Sequence, residues 1–315
     1  MTTDLQTINT LYGFTGTDPN LKDPDTAHLV INGNHVLGMH SVPGLDIKVK
    51  ELEDGIDMAM KLEPGTVVKK PVHLCFGVLP TTGVQRIIMS VDIGAGSKIS
   101  LLAHCVFPKA VDVQHIMDAK LHIGDGAEYS YFEKHVHSPE GGIKVYPKAV
   151  VHVGKKAVFK TEFELIKGRV GLIDIDYETN GDAGSVVDMM ARISGRQNDI
   201  IKIRETGHLN GEYARGVLVS KIAVRDKARA EVYNKMTATA PYARGHVDCK
   251  EIVQDEGIAT AVPIVEVNNP KAHITHEAAI GSVDSKQLET LMSRGLSEDD
   301  AVEIIINGLL SRGED

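Results

Sequence analysis

A short sequence pattern recurs in this chain at intervals of 30 residues, and it restricts the fold more than any other feature. Segments 92–96, 122–126 and 152–156 each follow an apolar run and carry a glycine at the third position. We expect each to be the end of a strand, a turn glycine at positive φ, and the start of a new strand. Sequence repeats of roughly this length are typical of solenoids, propellers and arrays.

The residues between the repeats favour a β-solenoid over the other repeat folds. From residue 65 onward, short apolar runs alternate with turns that contain Gly and Asp, which predicts strands. The chain has 6 Phe, 8 Tyr and no Trp, so its apolar residues are mostly small and branched. Such side chains can stack on one another from turn to turn. A β-sandwich with regular turns is the alternative.

The ends of the chain are expected to differ from the mainly β core, which we assign to residues 65–281. Residues 1–64 are predicted to be a mixed segment, with a loop at 15–25 and a helix from Ile47 to Leu62. The helix prediction depends on apolar residues at spacings of three and four. These residues are Val49, Leu52, Ile56 and Met60.

Residues 282–315 predict two short amphipathic helices. Asp284 can cap the first and Gly295 can end it, while Ser297 can cap the second. Two helices of this length cannot bury a core of their own, so they must cover the solenoid or bind a partner. Their apolar faces comprise Leu288, Leu291 and Met292 in the first helix, and Val302, Ile305, Ile306 and Leu309 in the second.

Charge and composition exclude several classes of function. A net charge of −9 argues against nonspecific nucleic-acid binding, which needs a basic surface. No apolar run is long enough to span a membrane, and the first residues lack the features of a signal peptide. Three widely spaced cysteines do not suggest a disulfide framework, so a cytoplasmic location is expected.

Common catalytic motifs are absent from the sequence. There is no Walker A sequence, no dinucleotide-binding glycine motif, no Gly-x-Ser-x-Gly, no His-Glu-x-x-His and no Cys-x-x-Cys. Nucleotide chemistry is therefore not expected from this chain.

Two histidines and two cysteines form a first set of candidate metal ligands. His135 and His137 share one face of a predicted strand. Cys75 and Cys105 are separated by the same interval as the repeated glycines, so their thiols would stack on neighbouring turns if the repeat extends that far. The alternatives are a solvated strand face for the histidines and buried, structural cysteines.

A second candidate set lies near the C-terminus. Cys249 lies in a polar stretch, and we expect it to be exposed, with nearby His and Lys residues favouring the thiolate. His276 and Glu277 are adjacent, so on a strand they would point to opposite faces. The set could bind a soft metal or handle sulfur, or it could be an accident of composition.

The C-terminal third of the sequence resembles the SufB/SufD family, the scaffold subunits of the SUF machinery for iron–sulfur cluster assembly. The resemblance is carried by residues 264–281, which contain the His-Glu-Ala triplet, and by the helical segments 283–288 and 291–308. It includes Leu218 to Ile222 and the Asp248-Cys249 pair, and it is weaker upstream, where it begins at Gly65 to Pro71.

The resemblance implies a fold, a partner and a set of site residues. The fold would be a right-handed parallel β-helix, and the C-terminal helices would dock the ABC-type ATPase SufC. Cys249 matches a cysteine that receives sulfur and can ligate the cluster, and His276 and Glu277 match a histidine and a glutamate of the same site. The implied docking residues are Leu288, Leu291, Met292, Arg294, Leu296, Val302, Ile305, Ile306 and Leu309.

One chain here carries residues that the family divides between SufB and SufD. The resemblance therefore implies a homodimer that holds a transient cluster at its interface and passes it to recipient apo-proteins. The chain would be a scaffold and not an enzyme. Two alternatives remain: a partner of the ATPase that binds no metal, and a solenoid enzyme such as a lyase or acyltransferase. The low aromatic content disfavours the second alternative.

Overall fold

The computed structural model describes residues 2–17 and 19–311, and it is a β-solenoid of about eight turns with 58% of residues in strands. Three helices are present in the described residues: α1 (Thr2–Thr15), α2 (Ser285–Met292) and α3 (Glu298–Leu310). None of them is both long and apolar enough to cross a membrane. The strands are β1 (His28–Asn32), β2 (His35–His40), β3 (Leu45–Glu51), β4 (Gly55–Leu62), β5 (Val72–Gly77), β6 (Thr82–Ile93), β7 (Lys98–Phe107), β8 (Asp112–Ile123), β9 (Glu128–His137), β10 (Ile143–Val153), β11 (Val158–Lys167), β12 (Leu172–Gly181), β13 (Val186–Gly195), β14 (Ile200–Leu209), β15 (Arg215–Val224), β16 (Arg229–Ala238), β17 (Arg244–Val253), β18 (Ile258–Val267) and β19 (His273–Gly281).

From β5 onward, successive strands alternate between two sheets. One sheet has the order β19-β17-β15-β13-β11-β9-β7-β5-β1-β2, and the other has the order β18-β16-β14-β12-β10-β8-β6-β4-β3. Neighbours from β4 to β19 are parallel, and each strand pairs with the strand one turn further along the chain. The predicted solenoid is confirmed. The predicted interval holds from β6 to β10, where Ile93 pairs with Ile123 and Ile123 pairs with Val153.

The repeated glycines have a different role from the predicted one. Positive φ angles occur two positions later, at Gly96, Gly126 and Lys156. Gly94 is instead required by close packing, because a Cβ there would lie 2.4 Å from the main-chain nitrogen of Pro64 in the preceding turn. The repeated glycine therefore lets the backbones of adjacent turns approach each other.

The two cysteines of the first candidate set do not stack. The turn from β5 to β7 is one residue shorter than the predicted interval, so Cys75 pairs with His104 and Cys105 pairs with Phe76. Side chains alternate between faces along a strand, and a shift of one residue therefore reverses the direction in which a side chain points. Cys75 lies in an outer apolar cluster with Leu11 of α1, whereas Cys105 lies in the solenoid core.

The predicted helix from Ile47 to Leu62 is wrong. Most of this segment forms an antiparallel hairpin of β3 and β4, with Leu45 opposite Leu62. Apolar and polar residues alternate along both strands, and this alternation buries one face against the core. Strands β1 to β4 belong to the two sheets of the solenoid, and β1 is followed by β2 in a second antiparallel hairpin. These two hairpins close the N-terminal end.

The predicted caps of α2 and α3 are confirmed. The Asp284 carboxylate accepts a hydrogen bond from the main-chain N–H of Gln287 at 2.8 Å. The Ser297 hydroxyl accepts one from the N–H of Asp300 at 3.2 Å. Gly295 has a φ of 93° in the turn between the helices, as expected for a residue that ends a helix.

Helix α3 is fixed to the outer face of the larger sheet by an apolar contact and by charged groups. Val302, Ile306 and Leu310 form a buried cluster with Ala223 of β15, against which Ile252 of β17 packs.

The side chain of Arg192 on β13 is 1% exposed and is central to the charged contacts of α3. It donates to the main-chain carbonyl of Leu310 and to the carboxylates of Glu162 and Glu164. Arg196 donates to Glu303 at 2.9 Å, and Arg225 also donates to Glu303. These contacts join α3 to strands that are distant in sequence.

We predict that Arg192→Ala loosens α3. The change leaves two carboxylates without their buried partner, which costs about 3 kcal/mol and corresponds to amide exchange about 100-fold faster in α3. Hydrogen exchange measured by mass spectrometry checks this outcome. The control is Arg204→Ala, which removes a partly exposed ion pair with Asp174 and should leave exchange in α3 unchanged. Equal exchange in the Arg192 variant and the parent would contradict the anchoring role.

Candidate functional site

Cys249 and His276 lie on the inward face of the last two strands of the larger sheet. Cys249 of β17 pairs with Ala278 of β19, and Val247 pairs with His276. Val247 and Cys249 are two positions apart on β17, so His276 lies on the same face of the sheet as Cys249 and next to it along that face. Cys249 is fully buried, whereas His276 is exposed because no further strand of the described chain pairs with β19.

The expectation of an exposed Cys249 thiolate is wrong. Burial raises the pKa of Cys249 to about 11, and the neighbouring carboxyl groups of Glu251, Asp248 and Glu205 act in the same direction. The nearest side-chain amide, Asn234 Nδ2, lies 3.9 Å from the sulfur. Cys249 is therefore a protonated thiol at neutral pH in the free chain. The polar residues around it in the sequence point outward, and the cysteine takes an inward position between them.

Several hydrogen-bond acceptors near Cys249 have no donor among the described residues. Ser220 donates to one oxygen of Glu251 at 3.2 Å, but the other oxygen has no partner. One oxygen of Glu205 and the amide oxygen of Asn234 are also buried without a partner. Burial raises the pKa of Glu251 to about 7 and that of Glu205 to about 8. Unsatisfied buried acceptors favour the uptake of a proton or a cation.

Glu277 lies on the opposite face of the same strands. It pairs with Asp248 in the sheet register, and the ligand atoms of His246, Asp248 and Glu277 lie within 4.8 Å of one another. One oxygen of Asp248 accepts from Lys250 at 2.7 Å, and the other has no partner among the residues that the structure describes. A single chain thus separates Glu277 from Cys249 and His276. The outer group could have been found from the sequence, because Asp248 and Glu277 are separated by nearly the same interval as the repeated glycines.

The first candidate set forms a second group inside the solenoid. His135 and His137 point inward and are buried, so the solvated-face alternative is wrong. Cys105 donates to Glu133 at 3.4 Å, and Glu133 lies 2.8 Å from His135 Nε2. His115, from the other sheet, places its Nε2 3.8 Å from the sulfur of Cys105. His115 and Glu133 were not identified from the sequence, because only the folded solenoid brings them to Cys105.

The residues implied for ATPase docking divide into two groups. Val302 and Ile306 are buried against the solenoid and are not available to a partner. The others are at least partly accessible. Leu291, Ile305 and Leu309 line an open groove between α2 and α3 together with Ile304, which is 47% exposed and was not in the implied set.

Comparison with known proteins gives a consistent result. Residues 82–309 match the family described as SUF system FeS cluster assembly, SufBD core domain. The chain is 37% identical over 282 residues to an iron–sulfur cluster assembly SufBD family protein of Methanocaldococcus jannaschii, covering 90% of this chain and 89% of that protein. A SufBD family protein of Pyrococcus horikoshii is 33% identical over 300 residues, covering 95% and 91%. The similarity therefore extends well upstream of the C-terminal third.

We predict that Glu205→Gln removes a pH-dependent loss of stability. The pKa of Glu205 is about 8 in the folded chain, above its value of about 4.3 when unfolded. The folded state binds the extra proton between these pH values, so the free energy of unfolding falls as pH rises from about 5 to 8. The variant should match the parent near pH 4 and be more stable at pH 9.

Urea denaturation at both pH values measures this difference. The matched control is Glu212→Gln at an exposed position, which should follow the parent at each pH. A Glu205→Gln variant that is less stable than the parent at pH 9 would contradict the assignment of a neutral, buried carboxyl group.

Proposed function

This chain belongs to the SufBD family of iron–sulfur cluster assembly proteins, and we propose that it is a scaffold that holds a cluster at the C-terminal end of its solenoid. The observation that carries the proposal is the shared inward face of Cys249 and His276 on the last two strands. The unpaired acceptors of Glu251, Glu205 and Asn234 lie on the inner side of the same region.

The ligand types suit temporary storage of a cluster. Cysteine thiolate is the usual cluster ligand, while imidazole in place of thiolate changes the properties of the cluster. We expect weaker retention with mixed ligands, which favours transfer to recipient apo-proteins. The Cys249 thiol must lose its proton to bind iron. Burial raises the pKa of Glu251 to about 7, and its charge acts on the thiol, so the two groups are linked in their protonation.

The uncovered C-terminal end supports a complete site built from two chains. At the N-terminal end both sheets finish in antiparallel hairpins, whereas β18 and β19 each pair on one side only within the described residues. Ile280, on the face of β19 that continues the interior, is 47% exposed. Open strand edges over an apolar interior are sites of association. A second copy would cover this end and bring a second Cys249 and His276 to it.

The groove between α2 and α3 supports docking of a SufC-type ABC ATPase. Its apolar lining includes Leu291, Ile304, Ile305 and Leu309, and Asp284, Lys286, Gln287 and Thr290 add polar groups. Met292 is 41% exposed on α2. The partner would supply the nucleotide-binding motifs that this sequence lacks. ATP-driven movement of the partner would act on α3, which contacts β13 and β15 and shares an apolar cluster with Ile252 of β17. Because Cys249 lies on β17, this movement would reach the cluster site.

We predict that the site variants Cys249→Ser and His276→Ala bind less cluster than the parent. Anaerobic reconstitution with iron and sulfide, followed by iron and sulfide analysis and visible absorption, measures the loss. Cys75→Ser is the matched control, because this thiol is also buried but faces α1, away from the site. Glu277→Gln tests the outer face separately. Equal cluster content in the parent, Cys249→Ser and His276→Ala would refute the site.

The variant Ile280→Lys tests the two-chain arrangement. A charge at the uncovered end should convert a dimer into a monomer, as measured by sedimentation, and should lower cluster content at the same time. Val150→Lys is the control, since Val150 is 52% exposed in the middle of the solenoid. A dimer that persists in the Ile280 variant would place the interface elsewhere.

We predict that Leu291→Asp weakens capture of a SufC-type ATPase, because it introduces a charge among the apolar side chains of the groove. Co-purification from a host that expresses both proteins measures the effect, with Val150→Asp as the control. Retention of the ATPase by the Leu291 variant would exclude the groove as the docking site. If the parent captures the ATPase normally but binds no cluster, the result favours the alternative that this chain is a partner of the ATPase that binds no metal.

A further inference from the structure

We propose that Cys105, His115, Glu133 and His135 form a second, enclosed metal site that binds a borderline divalent cation such as Zn²⁺ in the solenoid interior. All four residues are at most 2% exposed. The ligand atoms of Cys105, His115 and Glu133 lie within 4.8 Å of one another, and His135 Nε2 lies 2.8 Å from Glu133. This site is separate from the proposed cluster site.

The orientation of His115 is fixed from the N-terminal side. The side-chain amide nitrogen of Gln85 donates to the main-chain carbonyls of Gly33 at 2.8 Å and Gly77 at 3.0 Å. Its amide oxygen therefore faces His115 Nδ1 at 3.0 Å and accepts a hydrogen bond from it. A neutral His115 then carries its lone pair on Nε2, the atom that faces the sulfur of Cys105.

The tautomer of His135 is fixed in the same way, by hydrogen bonds that run from Arg169 through His137. The main-chain carbonyl of Arg169 can only accept, so His137 Nδ1 donates to it at 2.9 Å. The Nε2 of a neutral His137 must then accept from His135 Nδ1, at 3.0 Å. This leaves the lone pair of His135 on Nε2, directed at Glu133. Both imidazoles thus aim an available lone pair at Cys105 and Glu133.

Histidines that bind metals usually donate their other ring N–H to a carbonyl, a carboxylate or a similar acceptor, which sets the tautomer. His115 makes this contact with Gln85, and His135 makes it with His137. Each of these relays is a chain of hydrogen bonds that begins at a main-chain carbonyl. A carbonyl can only accept, so the direction of every hydrogen bond in the relay, and with it each tautomer, is fixed. The supporting residues of a metal site are therefore already in place.

Cys105, His115 and Glu133 are spaced as in a tetrahedral site, whereas His135 Nε2 is not within 4.8 Å of all three and would move toward the metal on binding. Metal–ligand bonds of about 2.0–2.3 Å give separations of about 3.3–3.8 Å between ligand atoms. The sulfur of Cys105 is 3.4 Å from Glu133 and 3.8 Å from His115, and the closer Glu133–His135 pair would open slightly. Binding displaces the thiol proton and any proton on the carboxyl group. The two resulting negative charges neutralise a divalent cation in an apolar interior.

The surroundings of the group enclose it. The ring of Phe107 lies 5.0 Å from that of His115, and the ring of Phe163 lies 4.6 Å from that of His135. Within the described chain, no lysine or arginine forms an ion pair with Glu133. Four strand spacings, or about 19 Å, separate the β9 residue Glu133 from the β17 residue Cys249. Four protein ligands without an open position are typical of structural metal sites.

Cobalt substitution tests the site, because tetrahedral Co²⁺ bound to thiolate gives a charge-transfer band in the near ultraviolet and visible d–d bands. The full chain is expressed in minimal medium with Co²⁺, so that metal can enter during folding. Elemental analysis should give close to one cobalt per chain at this site in a Cys249→Ser background, which removes the proposed cluster ligand. Cys105→Ser should abolish the charge-transfer band, and Cys75→Ser should retain it.

A second variant tests the relay without changing a ligand. Gln85→Ala leaves all four donors in place but releases His115, so affinity measured by chelator competition should fall about 10- to 100-fold. Gln114→Ala, on the outer face of β8, should have no effect. Failure of the Cys249→Ser protein to bind metal, or a charge-transfer band that survives Cys105→Ser, overturns the proposal. In that case the group is a neutral hydrogen-bond network.

Discussion

The hydrogen-bonded register between successive turns is the constraint on which the rest of this structure depends. Each strand lies directly beside the strand one turn later, although the turns differ slightly in length. Because side chains alternate between faces, the length of a turn decides which residues enter the interior. One residue fewer between β5 and β7 sends Cys75 outward and leaves Cys105 inside.

The same constraint explains why the interior contains two polar groups that look unrelated in the sequence. Candidate ligands that are adjacent in space come from neighbouring turns, as with Cys105 and Glu133, or from opposite sheets, as with Cys105 and His115. In a purely apolar core such residues would be costly. Here they partner one another, and several acceptors left without a donor lie around Cys249.

The architecture could be predicted from the sequence because the features that specify it are periodic or local along the chain. The regular interval between the repeated glycines, the few aromatic residues and the caps at Asp284 and Ser297 each have a local cause. The segment of β3 and β4 predicts a helix because Val49, Leu52, Ile56 and Met60 satisfy helical spacing by chance. The alternation that the sheet requires was also present, and burial against the core made it decisive.

The candidate sites are harder to predict, because they depend on which face of a strand each side chain occupies and on whether that face is buried. Cys249 is surrounded in sequence by His246, Asp248 and Lys250, which suggested exposure, yet the strand buries it. His115 could not be connected to Cys105 without knowing that β8 and β7 face each other across the interior. Exact turn lengths carry this information, and they change from one turn to the next along the chain.

Helix α3 changes the way in which this solenoid can unfold. A solenoid is nearly one-dimensional, because each turn contacts only its neighbours, so an uncovered end is free to fray one turn at a time. Arg192 on β13, Ala223 on β15 and Ile252 on β17 all contact this one helix or its apolar cluster. The turns that carry β13, β15 and β17 are therefore coupled through α3, and we expect them to open together as one cooperative block.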